Sequence, residues 1–354
     1  IIAATASGSA LAFQPTFSKG IHFTDSKHTI VRNLTIRNIY IHSGFGTNGN
    51  ETFGILYDGM SDDMVVHHSI VNNSRAGIFV SYNTVTAAAF YNNIVNDHGW
   101  GISMLDNNGS ATASGVRIYN NEVGPEFANW YDTGFAFHFD GIFVVATNAG
   151  ASFSDCQIYN NYVHGNMNVN GTAYISIGGA SSFTGLTVYN NLIVHEQNGP
   201  NGDNRAPEAG IVITANSIVS MYNNTIVSVT DRMNGIRYWE PNTGSLTIKN
   251  NIFDKCDSCI EFRPNDFTSL AASDQNVFFN STRVGRKNTG AGPPVNYITL
   301  ADWQTQGFDA NSANTDPKFN TTYHFLNSSS AINLGTNLTS LGIPALISDK
   351  DGVP

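Results

Sequence analysis

Val188-Tyr189-Asn190-Asn191 is one of six copies of a short pattern that decides the fold. The others are Phe90-Tyr91-Asn92-Asn93, Ile118-Tyr119-Asn120-Asn121, Ile158-Tyr159-Asn160-Asn161, Met221-Tyr222-Asn223-Asn224 and Ile248-Lys249-Asn250-Asn251. They recur at about 27 to 40 residues, the spacing of stacked repeats. Each reads as a short strand closed by a paired-Asn corner. A second run of the form x-Gly-Ile-x-Φ, with Φ apolar, follows most of them: Trp100-Gly101-Ile102-Ser103-Met104, Asp140-Gly141-Ile142-Phe143-Val144 and Ala209-Gly210-Ile211-Val212-Ile213 are examples. In an extended run the Ile and Φ share one face. Ile78, Ile102, Ile142, Ile175, Ile211, Ile236 and Ile260 are thus expected to form an inward column, with Val80, Met104, Val144, Ile177, Ile213, Tyr238 and Phe262 as the next.

Two strands per repeat, each stacked on the next repeat, predict an all-β fold, a right-handed parallel β-helix (a solenoid) with long loops and an irregular C-terminal capping tail. A single rung cannot bury its own inward side chains, so stability must come from neighbouring rungs. Asn suits the corner because it tolerates left-handed backbone and can hydrogen-bond along the stack. The competing reading, a β-sandwich with Asn-rich turns, does not explain why Tyr-Asn-Asn repeats. No long amphipathic segment of period 3.6 is found. Rungs are expected over 1–268, and a last rung with a capping tail over 269–354, in a single domain. Little sequence precedes the first rung, so a cap before Ile1 is expected to be missing. The chain starts without Met or a leader, as a trimmed chain would.

Charged residues make up 12% of the chain and the net charge is -10. That balance argues against nucleic acid as a partner, and no apolar run is long enough for membrane insertion. Asn-x-Ser/Thr sites, Asn33, Asn72, Asn223 and Asn280 among them, are compatible with secretion and N-glycosylation. Cys156 reads as a small buried apolar residue. Cys256 and Cys259, in Cys-Asp-Ser-Cys, are too few for a zinc site and read as a local disulfide or two buried thiols.

The rungs resemble the pectate-lyase-like superfamily of secreted right-handed parallel β-helices. The tail carries the more specific likeness, in Asp302-Trp303, Asp316-Pro317-Lys318-Phe319, His324-Phe325-Leu326, Ser330-Ala331-Ile332-Asn333-Leu334-Gly335 and Asp349-Lys350-Asp351-Gly352. Secreted bacterial β-helix proteins show a similar closing segment, with Pro where this chain has Ser330. The resemblance implies a secreted or cell-surface protein whose partner is a polysaccharide or other glycan. It does not carry catalytic residues across. Asp62-Asp63 lacks the Gly-His-Gly and Arg-Ile-Lys that accompany such a pair in polygalacturonases, and the Asp-Pro-His of mannuronan epimerases is absent.

Candidate chemistry lies where the repeat is interrupted, at 122–139, 162–172 and 192–208, because insertions in stacked repeats often form the binding face. His138 and Asp140 are two apart and face one side of an extended segment, a fit for proton transfer. A carboxylate at the x position of x-Gly-Ile is the exception in this chain. The plainer alternative has Asp140 ordering the loop and His138 packed among Phe135, Phe137 and Phe139. Asp132, Glu208 and His164 complete the catalytic candidates. Trp100, Trp130, Tyr131, His98, His195 and Arg205 are the substrate-binding candidates. A lyase would use His138, His164 or Tyr131 as base, with Arg205 or a cation against a uronate carboxylate. A hydrolase would pair Asp140 with Asp132 or Glu208. No cofactor is required, although Ca2+ fits the acidic balance. The non-catalytic alternative is a glycan-binding or structural fibre protein.

Overall fold

The computed structural model describes residues 2–3, 18–39, 52–127, 138–167, 171–179, 182–196, 207–214, 217–229, 233–239, 244–264, 266–289, 292–343 and 346. It is almost entirely β-strand, with a five-residue helix at Leu300–Gln304 and a 3₁₀ turn at Thr339–Leu341. The strands join edge to edge in parallel register, each pairing with its counterpart in the repeat before and the repeat after. The single antiparallel strand pair among the described residues joins Arg283–Thr289 to Gly292–Tyr297. Parallel stacking of this kind is an all-β solenoid and leaves no room for a sandwich of antiparallel sheets.

Both expected columns are present. Ile78, Ile102, Ile142, Ile175, Ile211, Ile236 and Ile260 pair in register from rung to rung and are buried. The neighbouring column runs from Val80 to Phe262 in the same way. Two earlier copies extend the first column, Gly54-Ile55 and Gly20-Ile21, with Ile21 opposite Ile55 and Ile55 opposite Ile78.

One correction concerns the number of strands. A third strand follows the Asn corners, short in Glu122–Val123, Tyr162–Gly165, Leu192–His195, Thr225–Ser228 and Ile252–Asp254 and continuous with the next strand in Ile94–Asp106. Its inward residues, Val95, Val123, Val163, Ile193, Ile226 and Phe253, form a column of their own. A strand of two to four residues is too short to show an alternation. This third strand also explains the glycine of Gly-Ile. A Cβ on Gly141 would lie 2.4 Å from Val163 Cγ1 and 2.6 Å from the Tyr174 carbonyl oxygen, and Gly77 and Gly101 are crowded by Val95 and Val123 in the same way.

The two asparagines of each corner divide the work. The first takes the left-handed conformation, with φ between 53° and 60° at Asn92, Asn120, Asn160, Asn190, Asn223 and Asn250. The second is buried and stacks. Asn121 donates from its backbone N–H and from Nδ2 to Asn161 Oδ1, at 3.1 and 3.0 Å. Asn161 does the same to Asn191, Asn191 to Asn224, Asn224 to Asn251 and Asn251 to Asn276. Each Nδ2 also reaches a backbone carbonyl of the preceding rung, Asn161 to Ile118 at 2.9 Å for example. The tyrosines before the corners stack outside, with ring centroids 4.8 Å apart from Tyr91 through Tyr119 and Tyr159 to Tyr189.

Stacking continues through Arg283–Thr289. Trp303, on the short helix, closes the core. It is fully buried and meets Phe267, Tyr297 and Phe308. The tail then turns back along the solenoid. Phe319 and Tyr323 pack against Tyr162, Leu192, Val194 and Val227, and Leu338, Ile343 and Leu346 against Tyr159, Tyr189 and Tyr222. Asp349-Lys350-Asp351-Gly352 lies outside the described residues. All three cysteines are buried free thiols, which decides between the two readings of Cys256 and Cys259. Among the described residues no helix is long and apolar enough to cross a membrane.

Candidate functional site

The outer face of the Gly-Ile strands carries two rows of side chains. The x row pairs Phe53, Ala76, Trp100, Asp140, Ala173, Ala209 and Asn234 in succession. The row three residues on pairs Leu56, Phe79, Ser103, Phe143, Ser176, Val212, Arg237, Glu261 and Arg286. Rungs lie ~4.8 Å apart, so residues distant in sequence become neighbours here.

Asp140 has no exposed surface. Its Oδ2 lies 2.5 Å from His138 Nδ1, and its Oδ1 accepts from the Ser176 hydroxyl and, at 3.3 Å, from the Ala173 N–H. His138 is 42% exposed, so the pair has a buried anion and an accessible imidazole. Trp100 Nε1–H donates to the His138 carbonyl oxygen at 2.9 Å and fixes the backbone. The His138 ring lies 5.2 Å from Phe143 and 5.8 Å from Trp100. Burial works against a charge on His138, but the field and hydrogen bond of Asp140, helped by Glu208, outweigh burial and Arg75 and raise its pKa above the ordinary 6.5.

Trp100 is one layer of an aromatic stack. Phe79 and Phe143 lie nearly parallel to it at 5.9 and 5.3 Å, and the Arg75 guanidinium sits 4.5 Å from its ring centroid. Neighbours therefore cover the ring faces. Further along the face Glu208 pairs with Arg237 at 2.9 Å, and Arg237 with the buried Glu261 at 2.7 Å. Arg263 and Arg286 approach Glu261 at 4.0 and 3.8 Å.

His164 belongs to a different group, on the strand after the Asn corner. Its Nδ1 lies 3.0 Å from Glu196 Oε2 and its Nε2 3.3 Å from Glu122 Oε1, with the ring stacked on Tyr162 at 3.8 Å. The hydrogen bond from His164 holds the Glu196 carboxyl below its usual range despite burial. Stacking aligns His164 with Val194, and its hydrogen-bond partners are Glu196 and Glu122, not Asp140. His98 and His195 are fully buried and offer no surface to a substrate. Burial pushes His98 down to about 3, and His195 Nδ1 meets the Tyr174 hydroxyl at 3.1 Å. Asp132, Trp130, Tyr131 and Arg205 lie outside the described residues, as do Phe135 and Phe137. Among the described residues no group of three His, Cys, Asp or Glu side chains could hold a metal ion.

Sequence reasoning passed over Ser176, Arg75, Arg237 and Glu261. Aligning the rungs on the inward column of Ile175, Ile236 and Ile260 would have found three of them, since Ser176, Arg237 and Glu261 follow those residues. No family model, curated protein or solved structure matches the chain.

Proposed function

We propose that this solenoid is a right-handed parallel β-helix of the pectate-lyase-like kind, acting on a polysaccharide outside the cell. His138 is the proton-transfer residue. One observation carries the reading: a half-exposed imidazole bound through Nδ1 to a carboxylate that is itself fully buried. That arrangement leaves Nε2 to exchange a proton with a ligand on the outer face. Asp140 is a positioning residue in this reading, because Ser176, Ala173 and His138 already occupy its oxygens.

The same fact favours elimination over hydrolysis. A hydrolase needs two carboxylates flanking the scissile bond. Asp140 is enclosed, and Glu208 is held by Arg237. In elimination neutral His138 removes the proton α to a uronate carboxyl. The electrons form the C4–C5 double bond, the C4–O bond breaks, and the leaving oxygen takes up a proton from water as the sugar departs. The neutral base is needed, so activity should rise with pH through the raised His138 pKa.

The test is His138→Ala against the unaltered chain on a panel of uronate and neutral polysaccharides. New reducing ends and the absorbance of unsaturated uronate are read together. The expected result is absorbance on a uronate polymer, reduced about a hundredfold or more in the variant. Reducing ends without absorbance would indicate hydrolysis, and silence on both would reduce the reading to glycan binding.

A further inference from the structure

We infer a second, separate binding pocket between the returning tail and the strands after the Asn corner, one that takes an uncharged sugar ring. The pocket has a volume of about 500 Å³. Asp254, Lys255 and Phe279 line it from the solenoid, and Asp316, Phe319 and Tyr323 from the tail. It lies on a different face from His138, and the inference does not depend on the chemistry proposed there.

Asp254 is the informative residue. It is 7% exposed, and its Oδ1 is buried with no hydrogen-bond partner among the described residues. A buried carboxylate oxygen without a donor costs folding free energy, so such a group persists where a ligand completes it. Burial raises its pKa, Lys255 opposes the rise and Asp316 adds to it. The tail has its own contacts on this face. Asp316 accepts the Lys318 N–H at 2.7 Å, and the Lys318 ammonium donates to the Ser328 carbonyl at 3.1 Å. These bonds build the pocket wall without drawing on Asp254.

The lining points to a polyol more than to an ion. Two carboxylates face two ammonium groups, Lys255 and Lys318, so a ligand of either charge meets an equal opposing set. Hydroxyl groups can donate to Asp254 and accept from Lys255 at once. Phe279, Phe319 and Tyr323 supply the apolar walls that the C–H faces of a sugar ring need.

The test is titration calorimetry with the methyl glycosides of glucose, galactose and mannose, and with butylammonium as the cationic probe. The unaltered chain, Asp254→Asn and His138→Ala are compared. The inference expects saturable binding of at least one methyl glycoside, about tenfold weaker in Asp254→Asn and unchanged in His138→Ala. It also expects Asp254→Asn to melt at the same temperature as the unaltered chain or higher at neutral pH, since the variant removes an uncompensated buried charge. Absence of saturation by every glycoside, equal binding by Asp254→Asn, or preference for butylammonium would overturn it. A lower melting temperature for Asp254→Asn would also overturn it, by showing that the carboxylate serves the fold.

Discussion

The buried asparagine column and the outer x row of the Gly-Ile strands are both built from one residue per rung, yet one repeats and the other does not. The column reads Asn93, Asn121, Asn161, Asn191, Asn224, Asn251 and Asn276. The x row reads Phe53, Ala76, Trp100, Asp140, Ala173, Ala209 and Asn234. In the column each amide satisfies a neighbour that has no access to water, so any replacement strands groups on two rungs. In the x row the backbone ladder is complete without the side chain, and identity is free to change. Repetition marks what the fold requires, and variation marks where chemistry can be placed.

The sharpest way to break this comparison is Asn161→Leu. It strands the Asn121 N–H, leaves Asn121 Nδ2 with only its Phe90 bond, and removes the donor to the Ile118 carbonyl and one donor to Asn191 Oδ1, and it should cost about 3 kcal/mol in urea unfolding. A loss below about 1 kcal/mol would show that the column is ornamental. His138→Ala should reduce turnover about a hundredfold, and because it leaves the Asp140 carboxylate buried without its imidazole it should lower the urea midpoint as well. Asn234→Ala compares the same residue type in the other row. Asn234 makes a single described hydrogen bond, Nδ2 to the Glu208 carbonyl at 2.7 Å, and its loss should cost about 1 kcal/mol.

The smallest effect is a pH slope. The folded-state pKa of His138 lies above the unfolded value, so its contribution is complete below pH 6.5 and is lost as pH rises through the folded pKa. Asp140→Asn removes what raises it and leaves burial, which lowers it. The His138 resonances should then titrate below the ordinary value by NMR, and the slope above pH 6.5 should vanish. An unchanged titration would separate His138 from Asp140.

Strand positions were legible where the pattern had length. Gly-Ile-x-Φ fixes which side chain points inward, so the paired columns through Ile142 and Val144 follow from the sequence. The third strand was not legible, because Glu122–Val123 is too short to display a period. The site was legible in part. His138 and Asp140 are local, and their pairing follows from alternation. His164 meets Glu196 and Glu122 only through the register of three rungs, which the sequence does not display. His98 and His195 read as polar and accessible, but the corner they occupy turns them into the core. Ser176 could be joined to Asp140 only through the register of two rungs 36 residues apart.

The asparagine column also has a direction. One Nδ2–H of each asparagine points to the rung that follows and every Oδ1 to the rung before, so the amide interactions run one way along the axis. The donor end falls at Asn276, and a carboxylate meets it there. Asp309, fully buried, accepts from Asn276 Nδ2 at 2.8 Å and from Ser273, Ser312 and Trp303. At the other end the Ser69 N–H donates to Asn93, and the Ser69 hydroxyl accepts from the Leu34 N–H at 3.4 Å. The solenoid thus has a polarity that does not depend on its length. A rung can be inserted or deleted within the column without altering either terminus, whereas the anion at the far end is tied to the direction in which all the amides point.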